Sequence, residues 1–131
     1  MGQIKILIVD DDPDITEAMK IVLENQGYIV DNAIDSSEGL ERIKASMPDL
    51  IILDVMMNTL SEGFLLSREL RKNPEYKNIP ILMVTSVKQQ TGIDFETAAG
   101  DETWLPVDGF LNKPVKPEVL LEKVKSLLHE S

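Results

Sequence analysis

The sequence predicts an α/β fold: a doubly wound, five-stranded parallel sheet with helices on both faces. Short apolar, β-branched runs alternate with amphipathic stretches along the chain, which is the signature of successive βαβ units. Right-handed crossovers leave few ways to arrange such units, and the doubly wound sheet leads among them. The chain has 131 residues, a common size for one domain with a real core, and shows no internal repeat or linker.

In chain order, IKILIV at 4–9 is a short β-branched run closing on acids and reads as a buried strand. Asp12 or Asp14 then offers an N-cap with Pro13 in the first turn, and Ile15, Met19, Ile21, Val22 and Leu23 form a helical stripe closed by Asn25-Gln26-Gly27. Residues 28–33 read as a weaker strand, and 36–47 as a helix with a serine cap, stopped by Pro48. The clearest buried strand is 50–53, which again closes on an acid, Asp54. A helix over 64–71 runs towards Pro74, and 80–85 (PILMVT) is another buried strand. Gly92, Gly100 and Pro106 interrupt 88–108, so the fourth helix, expected there, is read as shortened or irregular. A brief strand at 109–112 precedes Lys113-Pro114, and 117–129 is an amphipathic closing helix.

The formal net charge of −10 opposes nonspecific attraction to nucleic acid and favours cations or basic protein surfaces as partners. With no cysteine there is no disulfide and no thiolate metal site, which fits a reducing compartment. No charged segment with a following apolar run suggests a signal peptide, and the longest apolar runs are far too short to span a bilayer. The expectation is a cytoplasmic single domain over 1–131, without an output domain or membrane insertion, that reports through protein contacts.

Parallel α/β sheets bind ligands outside the carboxyl ends of their strands. Here those ends carry Asp10 and Asp11, Asp54, Thr85 and Ser86, and Lys113. Converging carboxylates repel one another, by roughly 4 kcal/mol per pair at about 4 Å and an effective dielectric near 20. A divalent cation offsets that repulsion, and an all-oxygen donor set favours Mg²⁺ over zinc or copper. Lys113 adds a compact cation and Thr85 a hydroxyl donor. A carboxylate nucleophile, a metal and two donors are the parts that phosphoryl transfer to an aspartate requires.

Four segments in order, LIVDDDPDI, PDLIILDVMM, ILMVTS and FLNKPV, resemble the signature blocks of the response-regulator receiver family and cover essentially the whole chain. The resemblance implies a flavodoxin-like fold, with Asp54 as phosphoacceptor and Asp11 as a direct Mg²⁺ ligand. It implies that Asp10 acts on the metal mainly through water and that the Met56 carbonyl completes the protein ligands. Thr85 and Lys113 become the phosphoryl sensors and Phe110 the switch aromatic. The implied partners are a histidine kinase or phosphotransfer protein and a downstream protein target, with homodimerisation on phosphorylation as a further expectation. Such a chain is a phosphoacceptor with self-catalysed transfer, not a classical turnover enzyme.

Plainer readings stand beside these. Asp12 is read as a cap or loop residue, Phe110 is equally compatible with core packing, and His129 is read as a helix-end cation. Three departures from the family bear on function. Met56 and Val87 are apolar where the family often has polar side chains that tune hydrolysis, which implies a comparatively long-lived phosphoryl state. The loop after Asp54 reads MMNTLSEGF, with Asn58 where the family usually has proline. The segment 88–108 is several residues longer than usual and carries Phe95 and Trp104, read as packing residues or partner anchors. Two other functions compete: a degenerate receiver that binds partners without phosphorylation, and a haloacid-dehalogenase-like phosphatase using Asp10 and Asp12. In the second, Asp14 stands where Thr or Val is expected and Asp54 has no role.

Overall fold

The computed structural model describes residues 3–53, 60–85, 108–112 and 115–128. Its strands are β1 (Lys5–Val9), β2 (Ile29–Ala33), β3 (Leu50–Leu53), β4 (Ile81–Thr85) and β5 (Gly109–Asn112). The helices are α1 (Pro13–Glu24), α2 (Ser36–Ala45), α3 (Leu60–Lys72) and a closing helix, here α4 (Pro117–Leu127). All five strands run parallel in the order β2-β1-β3-β4-β5. This is the flavodoxin-like order, in which the chain winds outward from β1 to β2 and then to the other side of β1 from β3 onward.

Side chains on a strand alternate between faces, so a strand covered on both sides reads as an unbroken apolar run. In β1, Leu7 and Val9 enter one core with Ala33, Ile43, Ile51 and Leu66. Ile6 and Ile8 enter the other with Met19, Leu23, Leu82, Leu120 and Val124. Thus α2 and α3 cover one face and α1 and α4 the other. Gly39 lets α2 lie close on β1, since a Cβ there would meet Val9 Cγ2 at 3.2 Å.

The helix ends follow local chemistry. Asp12 caps α1, accepting from the amides of Asp14 and Ile15, with Pro13 in the first turn. Gly27, at φ +90°, turns the chain out of α1 towards β2. The cap of α2 is Asp35 and not Ser36, which is already helical. Asp35 Oδ1 accepts from the Glu38 amide at 2.8 Å, and Glu38 Oε1 accepts in return from the Ile34 amide at 3.1 Å. This helix ends at Ala45, two residues before its expected end, while α3 begins at Leu60, four residues before its expected start. The irregular helix expected within 88–108 lies outside the described residues except for Asp108.

One polar cluster ties the amino ends of the last strands together. Arg71 Nη1 donates to the carbonyls of Lys77 (2.7 Å) and Ile79 (2.8 Å), and its Nη2 pairs with Asp108 Oδ2. The same Asp108 oxygen accepts from the Ile81 amide at 2.9 Å, and the Asp108 amide donates to the Ile81 carbonyl at 2.9 Å. The end of α3, the start of β4 and the start of β5 are thereby held as one unit.

Candidate functional site

Strand order places the switch point between β1 and β3, where the crevice at the carboxyl edge of a doubly wound sheet forms. Val9 is in register with Leu53, so β1 and β3 finish level with each other. At that edge the Asp10 amide still donates to the Ala33 carbonyl at 3.0 Å, prolonging the β1–β2 ladder by one bond. Asp10 is therefore carried into the sheet, with 3% of its surface exposed, whereas Asp11 is exposed. Asp10 Oδ1 accepts from the Asp12 amide at 2.9 Å, which fixes the turn between β1 and α1. The three consecutive acids thus separate into a buried carboxylate, an exposed one and a helix cap.

On the far side of β3, Thr85 is the last residue of β4 and pairs in register with Asn112, the last of β5. Asp10, Asp11 and Thr85 are accordingly brought to one edge of the sheet. Phe110 lies in β5, in register with Met83. The side chains of Thr85 and Phe110 lie outside the described residues, as do Asp54, Met56 and Lys113 altogether. In sequence, Asp54 directly follows β3 and Lys113 directly follows β5.

The described donors fit a hard divalent cation. A carboxylate as buried as Asp10 is unfavourable unless a cation or hydrogen bonds compensate its charge. Asp10 and Asp11 offer oxygen alone, the donor type that suits Mg²⁺. Among the described residues no group of three or more His, Cys, Asp or Glu side chains could hold a metal by itself. No described helix is long and apolar enough to cross a membrane.

Comparison with known proteins places this geometry. Residues 6–125 match the response regulator receiver domain. The chain belongs to that family. Among curated proteins, this receiver domain is similar to RpaA of Synechocystis sp., a DNA-binding dual master transcriptional regulator, with 36% identity over 129 residues. That match covers 97% of this chain and 50% of the relative, so the chain spans about half the length of RpaA. It is also similar to PilH of Pseudomonas aeruginosa, 32% identical over 127 residues, covering 95% of this chain and 97% of PilH. Among solved structures, a CheY-like response regulator receiver domain protein from Methanospirillum hungatei superposes with a TM-score of 0.82 at 31% identity. That superposition covers 98% of this chain and 95% of the other. Response regulators are signalling proteins of two-component systems, and this chain is a receiver domain of that kind.

Sequence reasoning missed two features. The sequence places Asp108 in the irregular segment, whereas the structure shows it anchoring β5 through Arg71 and Ile81. Its signal was slight: an acid just before a short strand, with an arginine near the end of the preceding helix. The burial of Asp10 was equally illegible, because consecutive aspartates look alike until the ladder bond to Ala33 distinguishes the first.

Proposed function

We propose that this receiver domain is a phosphorylation switch that accepts a phosphoryl group on Asp54 from a phosphohistidine of a partner kinase or phosphotransfer protein. The observation that carries this reading is the buried carboxylate of Asp10 beside the end of β1, level with the end of the strand that Asp54 follows. A carboxylate oxygen of Asp54 attacks phosphorus, the P–N bond breaks, and the departing imidazole takes up a proton to become neutral histidine. Asp10, Asp11, Asp54 and the Met56 carbonyl are the residues that would hold Mg²⁺, which when bound neutralises charge on the transferring group. Thr85 donates its hydroxyl and Lys113 its ammonium to phosphoryl oxygens, so that added charge at one edge of the sheet is read by the ends of β4 and β5. Phe110 follows as the switch aromatic, and a phosphorylation-dependent homodimer is one output.

The domain acts in the cytoplasm through protein contacts, without a direct nucleic-acid partner. Its reading as acting through protein contacts draws on the similarity to PilH, 97% of whose length the match covers. The deciding experiment is incubation with acetyl phosphate and Mg²⁺ followed by intact mass spectrometry. The expected result is a gain of one phosphoryl mass that is absent from Asp54→Asn. No gain under conditions that label an established receiver would leave the non-phosphorylated binding module as the better reading.

A further inference from the structure

The sheet has an outer edge at β2, and among the described residues no strand pairs with it on that side. Its hydrogen-bonding pattern shows which groups that edge presents. The Ile29 amide donates to the Ile4 carbonyl at 2.9 Å and the Ala33 carbonyl accepts from the Asp10 amide at 3.0 Å, with Leu7 in register with Asp31. The backbone groups of Ile29, Asp31 and Ala33 therefore face β1, and those of Val30 and Asn32 face outward. An edge with outward donors and acceptors is a template for another strand, and natural proteins close such edges by specific devices.

Here the device is a side chain of the strand itself. Asp31 Oδ1 accepts from the Asn32 amide at 2.9 Å, covering an outward donor. Its other oxygen, Oδ2, lies 3.5 Å from Arg42 Nη1 on α2. Two exposed isoleucines, Ile29 at 43% and Ile34 at 57%, flank this point and would favour association if the centre permitted it.

We infer that Asp31 is a guard residue that keeps two copies of this chain from joining through their β2 edges. Closed dimers form about a two-fold axis, and two β2 strands meeting that way run antiparallel. Centred on Asp31, that register sets Val30 of each copy against Asn32 of the other as the hydrogen-bonded pairs. It sets Ile29 against Ala33, and Asp31 against itself in the close, non-bonded position. Like charges directly opposite on neighbouring strands are destabilising. Asp31 thus opposes the contact twice, by occupying a donor that the partner strand needs and by repelling its own copy.

The test is sedimentation equilibrium on the unphosphorylated full chain, with hydrogen exchange on the same samples. Wild type is expected to stay monomeric, with no gain of protection at the Val30 and Asn32 amides as concentration rises. Asp31→Val is expected to associate at least about tenfold more tightly and to protect those two amides in the associated state. A folded Asp31→Val that stays monomeric over the same range overturns the inference. So does association without protection of Val30 and Asn32, or protection of them in concentrated wild type. If Asp31→Val fails to fold, Asp31→Asn keeps an acceptor for the Asn32 amide while removing the charge, and the same outcomes decide.

Discussion

Asp12 accepts from the amides of Asp14 and Ile15 at 3.0 and 3.3 Å, while Asp10, two residues earlier, lies 3% exposed at the end of β1. The difference arises from the backbone: Asp10 is still in the sheet ladder, and Asp12 has the extended φ and ψ of an N-cap. Substitution should therefore separate the two. Asp12→Ala is expected to lose about 1 kcal/mol of stability with the cap, and Asp12→Asn much less. Urea denaturation checks this, and mass gain with acetyl phosphate should persist in both variants. The sequence supports Asp12 as a capping residue because proline follows it directly. It does not distinguish Asp10 from Asp11, since which of two adjacent acids is carried into the sheet depends on where β2 ends.

The strands were more legible than the helix ends. Runs such as those of β1, β3 and β4 are buried on both faces, so their composition alone marks them, and β3 and β5 coincide with their expected bounds. A helix end depends on which of several capping residues wins. Asp35 wins over Ser36 because Glu38 can reach back to the Ile34 amide. Long-range fastening left little sequence signal: Arg71 and Asp108 are 37 residues apart. Arg71→Ala would remove the guanidinium donor from the carbonyls of Lys77 and Ile79 and leave the Asp108 carboxylate with the Ile81 amide but no cation, and is expected to cost about 2 kcal/mol. Arg71→Lys should recover little, because an ammonium cannot reproduce the guanidinium fork. Denaturant midpoints give the magnitude, and faster exchange of the Ile81 amide would locate the loss at the start of β4.

For the whole molecule, the proposed site links metal binding to folding. Wild type should gain about 2.7 kcal/mol when free Mg²⁺ is one hundred times its Kd, by mass action on the native state. Asp10→Asn and Asp11→Asn should lose most of that gain. Urea curves with Mg²⁺ and with a chelator measure both. Equal stabilisation of wild type and Asp10→Asn by Mg²⁺ would remove Asp10 from the metal site. At this scale the fold class was readable because alternation of strand and helix is a property of the entire chain. That Asp10, Asp11 and Thr85 come to one edge of the sheet was readable only as a consequence of parallel strands.

The fastening of Asp108 to Ile81 has a consequence for how this domain can diversify. Both the amide and the carboxylate of Asp108 are bound to the start of β4, so β5 begins at a point set by the scaffold. Whatever chain joins β4 to β5 closes on anchored ends, and lengthening such a connection is inexpensive, about 0.6 kcal/mol for each doubling. That passage can therefore differ in length at little cost to the sheet it closes. A fixed anchor at the start of β5 makes the passage before it the part of the domain freest to change in length.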